Sequence, residues 1–484
     1  MKKEINIVWL KRDLRTYDHL PLYEAEKLMI DYEIIYLFEP TIMNEPDYSE
    51  RHQQFIYYSL LDINKLLKKY NREVKIFNVD ATEFFSYLIS KYSINSVLSY
   101  QESGTQKTWE RDKKICTIFK SKNVKWIEFE NQSIIRGLSN RKGWDKKWYD
   151  YANSKNIVNI FSYNKFNLKA DDYLFDIENF RFLKKYPKSF QPAGQSYAIK
   201  YLKSFVDYRS INYRDNISKP EKSKTSCSRL STYLAWGNIS VRYIYQYVKN
   251  SPNYKNNKSH FNSFISRLKW RSHFIQKFET DSSYEFECIN KEYKKINYTN
   301  NDELLDNWKK GKTGFPMIDA SMRSLIKKGW LNFRMRAMLV SFLCHHLEQD
   351  WKRGVHYLAR LFLDYEPGIH FTQFQMQAGV TGINLIRVYN PIKQSKDNDS
   401  EGIFIRKWLP ELSSFDLPFL HEPWKLTTFE LIDKTIPSFY KNPIISVNLG
   451  KTKVTKQLWK LKSDPKVKQE SKRLLKLHVR PKNI

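Results

Sequence analysis

Five short apolar segments recur through the first 130 residues, and segments with apolar residues at helical spacing separate them. The strand candidates are INIVWL (5–10), EIIYLFE (33–39), EVKIFNV (73–79), INSVLSY (94–100) and VKWIEFE (124–130). Between them, segments such as 19–29 and 51–70 repeat apolar residues three and four positions apart. Alternating strands and helices predict a parallel sheet covered on both faces, so residues 1–130 should form a Rossmann-like α/β domain.

The pattern changes after the last predicted strand. Residues 131–200 are irregular and rich in Asn, Lys, Tyr and Asp, which predicts a connector between domains. From 201 to 440 helical spacing dominates, for example over 232–250, 260–279 and 335–365, and predicts a larger all-α domain. Residues 441–484 are strongly basic and are interpreted as a C-terminal tail.

Charge indicates what kind of partner the chain has. Lys and Arg number 82 against 52 acidic residues, a formal net charge of +30, which favours a polyanion, nucleic acid first and an acidic membrane second. A Lys-rich composition of the kind that AT-rich coding produces is the alternative explanation. The 15% of aromatic residues suits packed helices and also suits a protein that handles flat ligands or bases.

Several functional classes are disfavoured by what the chain contains. The four cysteines form no CxxC pair, so a disulfide framework and a zinc ribbon are not indicated and a reducing, cytoplasmic setting is expected. No apolar run is long enough to span a membrane, and the charged N-terminus does not resemble a signal peptide. Adjacent His345 and His346 would point about 100° apart on a helix, so no metal site is predicted. We expect a monomer.

The stretch WKKGKTGFPMIDASMR (308–323) contains Gly-Lys-Thr, the end of a phosphate-binding loop. Such a loop needs a glycine five residues before the Gly-Lys pair, and Asp306 occupies that position. The residues ahead of it also read as a polar helix and not as a buried strand, so nucleotide hydrolysis is not predicted. The turn after the first strand, LKRDLR, lacks the GxGxxG pattern of dinucleotide-binding folds.

Four segments together resemble the DNA photolyase and cryptochrome flavoprotein family, in family order across nearly the whole chain. They are VWLKRDLRTYDHLPL (8–22), SCSRLSTYLAWGNISVR (226–242), WKKGKTGFPMIDASMRSLIKKGWLNFRMR (308–336) and FIRKWLPEL (404–412). By this resemblance the Gly-Lys-Thr stretch is a structural turn beside a flavin. The resemblance implies an α/β antenna domain followed by a helical domain that binds FAD non-covalently.

The function that the resemblance implies is light-driven repair of UV-induced pyrimidine dimers in DNA. The chain would be a deoxyribodipyrimidine photolyase, a lyase in which excited reduced FAD passes an electron to a flipped-out dimer, with cyclobutane dimers as the expected lesion. Double-stranded or single-stranded DNA carrying dimers would be the partner. The alternative is a cryptochrome-like blue-light photoreceptor that uses the same FAD pocket without repair. A second, antenna chromophore of unknown identity would lie in the first domain, in the region of Glu102 and Glu110.

The resemblance also implies which residues contact FAD. These cofactor-binding residues are Tyr213, Ser228, Arg229, Leu230, Ser231, Arg271, Arg336, Asp364, Glu366 and His370. For Ser231 the alternative is an ordinary N-cap of the following helix. For Arg336 and Asp364, which the resemblance pairs beside the flavin ring, the alternative is a plain salt bridge between helices.

His370 stands where most family members carry Asn or another small residue beside the flavin N5 atom. An imidazole there could donate a proton to the reduced flavin or hold its anion, or it could be a satisfied histidine of the pocket wall. The positions of the family's electron-transfer tryptophans hold Phe374, Trp351 and Tyr298, so we expect slow photoreduction or a detour through another aromatic residue.

The lesion pocket departs from the family pattern as well. Trp270 matches a tryptophan that stacks on the dimer, and it is assigned a catalytic role together with Trp351 and His370. Arg267 replaces a dimer-binding Glu, Met376 replaces a second tryptophan and Phe333 replaces an Asn. Arg267 and Arg334 are predicted to contact DNA phosphates.

Overall fold

The computed structural model describes residues 2–432 and 435–479. The last five residues of the predicted basic tail, 480–484, lie outside the described residues, as do Met1 and residues 433–434, which fall in the predicted α/β and helical domains.

All five predicted strands are confirmed, and each lies within two residues of its predicted bounds. They are β1 Glu4–Leu10, β2 Tyr32–Phe38, β3 Val74–Asn78, β4 Ser93–Tyr100 and β5 Lys125–Phe129. They form one parallel sheet in the order β3-β2-β1-β4-β5. Val8 of β1 pairs with Ile34 on one side and with Leu98 on the other. The strand order therefore reverses beside β1, where open α/β sheets bind ligands at the carboxyl ends of the strands.

The sheet is buried because its strands are apolar on both faces. Ile5, Ile7 and Trp9 point into a core covered by helices Ala81–Lys91 and Gln106–Ser121. Val8 and Leu10 point into a second core that continues into the helical part of the chain. The α/β region is thus joined to the rest of the protein through a shared apolar layer.

The helices of the first 130 residues fill the spaces between strands. They are Leu20–Lys27, Pro40–Met43, Glu50–Leu67, Ala81–Lys91 and Gln106–Ser121. The segment 131–200 is mostly irregular, as predicted, yet it contains the helix Trp144–Asn153 and the start of Gln195–Asp207. Trp144 and Trp148 are buried in that first helix, so it packs as part of the core.

The remaining described residues contain helices and no strand, which confirms the predicted fold class. The helices are Tyr213–Asn216, Ser223–Ser226, Ser231–Ala235, Val241–Lys249, Asn253–Asn256, Lys258–Thr280, Asp302–Lys310, Pro316–Lys328, Phe333–Ser341, Lys352–Leu361, Pro367–Ala378, Pro391–Asn398, Ile403–Trp408, Leu417–His421, Ser438–Lys441, Lys453–Ser463 and Pro465–His478. A π-helical turn, Phe342–His346, follows Phe333–Ser341. Across the described ranges, no helix is both long and apolar enough to cross a membrane.

The turn after β1 locks the two halves together. Arg12 donates to the carbonyl oxygens of Ala235 (3.3 Å) and Tyr365 (3.0 Å), and its guanidinium lies 4.4 Å from the ring centre of Trp236. Gly237, at φ +72°, passes so close that a Cβ there would lie 2.2 Å from the carbonyl oxygen of Arg12. Only glycine permits this approach.

The basic C-terminal segment forms two helices that pack on the helical domain. Val454, Leu458, Val467 and Leu474 are buried, while most of the lysines of these helices are exposed. The segment therefore contributes to the core on one face and carries positive charge on the other.

Candidate functional site

Helix Pro367–Ala378 is the centre of the site. It packs against helices Lys258–Thr280, Phe333–Ser341 and Lys352–Leu361. Proline at its first position suits a helix start, and Gly379 in the left-handed conformation ends it. Gly368 allows the close approach of helix Lys258–Thr280, because a Cβ there would lie 2.8 Å from the Cα of Ile275. Most of the residues predicted to contact the cofactor or DNA lie on these helices or just before them.

The predicted pair Arg336 and Asp364 is formed. Arg336 Nη2 lies 2.7 Å from Asp364 Oδ2, and its Nε donates to the carbonyl oxygen of Leu331. The guanidinium also lies 4.0 Å from the ring centre of Phe362. The Oδ1 atom of Asp364 is buried without a hydrogen-bond partner. The pair is therefore held in place by the protein and still has one carboxylate oxygen available to a ligand.

A second ion pair joins Arg271 and Glu366. Arg271 Nη2 lies 2.8 Å from the carbonyl oxygen of Leu234 and 3.4 Å from Glu366 Oε2. Burial raises the pKa of Glu366, while the nearby charges of Arg12 and Arg271 oppose that rise. Glu366 is also the residue that precedes helix Pro367–Ala378. This pair fixes the start of the central helix against helix Ser231–Ala235, which contains Leu234.

The Ser228–Ser231 turn is shaped by Arg229, which has a left-handed backbone (φ +61°). The Arg229 guanidinium stacks 3.9 Å from the ring centre of Trp330, and its Nη2 donates to Gln191. Its Nε is buried without a partner, and burial lowers the pKa of Arg229 to about 10. Ser231 is the first residue of its short helix and accepts a hydrogen bond from Trp330, so it does not act as an N-cap.

Tyr213 and Arg267, predicted to serve FAD and DNA respectively, are neighbours. Burial raises the pKa of the Tyr213 hydroxyl, and its hydrogen bond with Arg267 opposes the rise. Tyr213 is buried, whereas Arg267 is exposed. Their contact connects the predicted cofactor side of the site to the protein surface.

His370 has a fixed hydrogen bond. Its Nε2 lies 2.8 Å from the carbonyl oxygen of Val355, and because a carbonyl only accepts, Nε2 carries the proton. Burial lowers the pKa of His370 to about 4, so the ring is neutral at pH 7 and Nδ1 is an acceptor. This geometry disfavours a charged imidazolium that donates a proton and favours a neutral ring that accepts one hydrogen bond.

The three aromatic positions of the predicted electron route are partly connected. The ring centres of His370 and Phe374 are 5.8 Å apart, and those of Phe374 and Trp351 are 6.5 Å apart. Trp351 is buried, and Tyr298 is half-buried against the same core. Phe374 therefore lies between His370 and the tryptophan.

Two large aromatic side chains are half-exposed on helices that flank the central helix. Trp270 is 49% exposed and Phe333 is 47% exposed. Trp270 stacks on Phe274 with ring centres 5.6 Å apart, so its indole is held in one orientation. Met376 is half-buried on the central helix, and Arg334 lies 5.8 Å from the ring centre of Tyr389. Rigid, exposed aromatic faces of this kind suit stacking on bases.

The polar atoms left unpaired in these segments fit a flavin-adenine dinucleotide. Besides Arg229 Nε and Asp364 Oδ1, the buried atoms Thr232 Oγ1 and Asn332 Oδ1 lack a partner within the described structure. Buried polar groups rarely stay unpaired, and FAD offers ring amides, hydroxyl groups and phosphates that would pair with them. Asn332 and Trp330 were not predicted as site residues, although both lie in the motif run 308–336.

A narrow cleft lies at the carboxyl ends of the strands. It is lined by Arg12, Glu102, Arg111, Tyr36 and Trp236 among other residues. Arg111 forms ion pairs of 2.7 Å with Glu39 and with Glu102, so charged side chains of the protein fill much of the space. Glu110, predicted to lie near a second chromophore, is exposed and does not line the cleft.

The Gly-Lys-Thr stretch is a structural turn. The Asp319 carboxylate accepts hydrogen bonds from Thr313 N (2.8 Å), Thr313 Oγ1 (2.7 Å) and Gly314 N (3.0 Å). The backbone N–H groups that a phosphate loop would offer are thus used by the protein itself, and Lys312 is exposed. This arrangement agrees with the expectation that the stretch does not hydrolyse nucleotides.

The two adjacent histidines have separate partners. His345 interacts with Ser341 and with the carbonyl oxygen of Ala378, and His346 interacts with the carbonyl oxygen of Tyr389. Within residues 2–432 and 435–479, no group of three or more His, Cys, Asp or Glu side chains is placed to hold a metal ion.

The fold combines an α/β domain with a helical domain, and the helical domain has buried polar atoms without partners. These two features are typical of a two-domain protein that binds a cofactor. Residues 6–146 match the model of the DNA photolyase family, and residues 264–460 match that of the FAD-binding domain of DNA photolyase. The chain belongs to the DNA photolyase and cryptochrome family of flavoproteins, and its helical half is an FAD-binding domain.

Relatives of known name span nearly the whole chain. The deoxyribodipyrimidine photo-lyase of Alkalihalophilus pseudofirmus is 26% identical and covers 88% of this chain and 92% of its own. The enzyme of the same name from Buchnera aphidicola is 28% identical and covers 91% and 94%. A cryptochrome structure from Synechocystis sp. superposes with a TM-score of 0.83 at 20% identity, over 95% of this chain and 99% of its own. At that identity the structural match shows the fold alone.

Proposed function

We propose that this protein repairs UV-induced pyrimidine dimers in DNA by a light-driven reaction, and that cyclobutane dimers are its substrate. The single observation that carries the proposal is the pair of half-exposed aromatic residues, Trp270 and Phe333, on helices either side of the helix that carries His370. Flat apolar faces at the surface, close to a cofactor site, are what a flipped dimer needs. Relatives named deoxyribodipyrimidine photo-lyase support the same reaction.

One set of residues is assigned to the cofactor and another to the lesion. Arg229, with Ser228, would hold the phosphates of FAD, and the pair Arg336 and Asp364 would orient its ring. When bound and reduced, FAD supplies one electron on absorbing light and recovers it after the dimer splits. Trp270 would stack on the dimer, while Arg267 would hold a DNA phosphate near the surface.

Arg267 gives this site a different way to recognise the lesion. A guanidinium has five donors and no acceptor, so it cannot accept a hydrogen bond from a base amide as a carboxylate would. Base recognition should then depend more on stacking against Trp270 and Phe333 and on contact with the half-buried Met376. Phosphate contacts through Arg267 and Arg334 would add affinity without sequence preference.

A cryptochrome-like photoreceptor is the second candidate. The replacements Arg267, Phe374 and Met376 favour it, since they change the lesion pocket and the electron route while leaving the FAD site intact. The strongly basic C-terminal helices favour DNA as the partner instead. We also propose that the protein acts in the cytoplasm as a monomer, and that any second chromophore occupies the cleft beside Glu102.

The deciding experiment is photorepair of defined oligonucleotides. The FAD-loaded, reduced protein should split a cyclobutane dimer into its two pyrimidines under near-UV or blue light and not in the dark. Trp270→Ala should weaken binding of the damaged strand about 5-fold to 150-fold, because base stacking on an aromatic residue contributes roughly 1–3 kcal/mol. Tyr197→Ala is the matched control, since Tyr197 is an aromatic residue 41% exposed on helix Gln195–Asp207, to which no DNA contact is assigned. Repair of neither the cyclobutane nor the (6-4) product would favour the photoreceptor.

His370 should set the reduction potential of the bound flavin. In the wild-type protein the neutral ring accepts at Nδ1, and its pKa of about 4 means that the flavin spectrum should stay constant from pH 8 down to about 5. His370→Asn removes this acceptor and should shift the flavin reduction potential at every pH in that range. Spectra and potentials recorded against pH test this. An unchanged reduction potential in the variant would mean that His370 only lines the pocket wall and makes no hydrogen bond to the flavin.

A further inference from the structure

A group of buried basic residues lies where the loop before helix Trp144–Asn153 meets helix Lys258–Thr280. Arg141 is 2% exposed, and its Nη2 donates to the carbonyl oxygen of His273 at 3.3 Å. Its guanidinium lies 5.0 Å from the ring centre of Trp144. The Nε and Nη1 atoms of Arg141 are buried and have no hydrogen-bond partner. Two strong donors of a buried cation are therefore free.

Lys277 adds a second positive charge, one turn beyond His273 on the same helix. It is 4% exposed, and burial lowers its pKa to about 8, with the charge of Arg141 acting in the same direction. The negative charge of Asp145 acts on Arg141, and Asp145 also pairs with Lys269 at 2.9 Å. Within residues 2–432 and 435–479, the Nε and Nη1 atoms of Arg141 still have no hydrogen-bond partner. At pH 7 both cations are charged, since the pKa of Arg141 falls only to about 10.

Two histidines complete the group. His478, on the last helix, is fully buried, and its Nε2 lies 2.6 Å from the Tyr284 hydroxyl while its Nδ1 has no partner. Burial lowers the pKa of His478, and the positive charges of Lys277 and Arg141 lower it further. His273 is half-buried, and burial likewise lowers its pKa to about 3. Both rings are neutral at pH 7 and can serve as hydrogen-bond partners.

Two buried cations that repel each other, one of which has unpaired donors, are stabilised when an anionic group joins them. The free Nε and Nη1 donors of Arg141 point to different edges of the guanidinium plane, so a phosphate oxygen can accept a hydrogen bond at either edge, and an ammonium can contact another oxygen. His273 places this group near the proposed lesion-binding face, because its ring lies 6.1 Å from that of Trp144 and 5.4 Å from that of half-exposed Trp270.

We propose that Arg141 and Lys277, with His273 and His478 beside them, form a binding site for a phosphate group. The phosphate is either free inorganic phosphate or a backbone phosphate of DNA bound across Trp270, and the two sources share the same chemistry. The site is separate from the residues assigned to FAD, and it needs neither light nor a lesion. Its existence is thus independent of the proposed repair activity.

The first arm of the test uses inorganic phosphate and the FAD-loaded protein in the dark. Thermal unfolding is measured in sodium phosphate and in sodium chloride of equal ionic strength. Phosphate should raise the Tm by several degrees, because a ligand that binds only the folded state stabilises it. Arg141→Gln and Lys277→Met should abolish the rise. Arg473→Gln, which removes an exposed arginine paired with Glu470, should leave the rise intact.

The variants also have a predicted effect in chloride alone. Lys277→Met removes one of two repelling buried charges without shortening the side chain, so its Tm without phosphate should equal or exceed that of the wild type. Loss of the phosphate effect in a variant that is otherwise as stable therefore cannot be attributed to misfolding. A marked fall in the Tm of Lys277→Met in chloride would mean that the lysine already has an anionic partner and would overturn the proposal.

The second arm uses an undamaged duplex oligonucleotide, again in the dark. If the phosphate belongs to DNA, Arg141→Gln and Lys277→Met should each reduce the slope of log affinity against log salt by about one. A phosphate effect on Tm with unchanged salt slopes assigns the site to free phosphate. The absence of both effects overturns the proposal, as does an equal Tm rise in chloride and phosphate.

Discussion

Acidification should weaken this protein gradually from about pH 6 to 4.5 and then unfold it within roughly two pH units. The steep phase comes from buried neutral histidines. Burial lowers the pKa of His52 and His273 to about 3 and that of His345 and His370 to about 4, and His478 is shifted in the same direction. In the unfolded chain a histidine titrates near 6.5, so the unfolded state binds more protons.

Each such histidine removes about 1.4 kcal/mol of stability per pH unit between 6.5 and its folded pKa. Three buried acids act in the opposite direction. Burial raises the pKa of Glu279 and Glu285 to about 7 and that of Asp319 to about 6. The folded state binds more protons at these groups until the pH falls to their unfolded values, so they add stability from pH 7 to about 4.5. The acids offset three of the five histidines, so a net loss of roughly 3 kcal/mol per pH unit remains between about pH 6 and 4.5.

Below about pH 4.5 the acids with raised pKa no longer offset the loss, the histidines still respond, and the lowered pKa values of Asp13, Asp18 and Asp112 add to the loss. Stability should then fall by about 4–6 kcal/mol per pH unit or more, which exhausts a typical total of 5–15 kcal/mol quickly. Urea-induced unfolding followed by circular dichroism at a series of pH values measures this. His52→Gln, which keeps a donor toward the carbonyl oxygen of Phe362, should reduce the slope by about 1.4 kcal/mol per unit. A loss that is no steeper below pH 4.5 than above it, or a folded protein at pH 2.5, would contradict the account.

Asp319→Ala should destabilise the protein by about 3–5 kcal/mol, because it leaves three buried donors of the Gly-Lys-Thr turn without an acceptor. Asp319 is fully buried, and the turn cannot rotate its N–H groups toward water. Gly314, at φ +85°, passes so near residue 439 that a Cβ would lie 2.2 Å from the carbonyl oxygen of Phe439. The turn is therefore tightly packed and has little room to rearrange.

Equilibrium unfolding in urea at pH 7 measures the loss for Asp319→Ala. Asp306→Ala is the matched control, since that side chain is 59% exposed and lies 3.8 Å from Lys310, and its removal should cost no more than about 0.5 kcal/mol. Asp319→Asn keeps one acceptor and should fall between the two. If Asp319→Ala were as stable as Asp306→Ala, the hydrogen bonds to Thr313 and Gly314 would have no part in the stability of the domain.

The sheet could be predicted because its strands are buried on both faces. Segments such as INIVWL and EIIYLFE are nearly continuous apolar runs bounded by polar residues, and that pattern depends on local sequence alone. Helix Trp144–Asn153 escaped prediction because its surroundings are polar and its apolar face consists of only a few residues, including Trp144 and Trp148. The segment 232–250 reads as one helix, yet Gly237 divides it in two to admit Arg12.

The candidate site was predictable to the extent that it lies in continuous motifs. Ser228 to Ser231 and the pair Arg336 and Asp364 fall in or near segments that resemble the family. The buried basic group could not be predicted, because Arg141, Lys277 and His478 are separated by more than a hundred residues and only packing brings them together. Nor does the sequence reveal that Asp145 pairs with Lys269.

The contacts of the turn after β1 limit how such proteins can be recombined. Arg12 satisfies carbonyl groups on two separate segments of the helical half, and Gly237 is shaped to its backbone. A helical half transferred without its own α/β partner would expose those carbonyls and the apolar layer beneath them. The two halves should therefore pass between genomes as a single unit. Hybrids joined from distant relatives should misfold first where Arg12 meets the helical half.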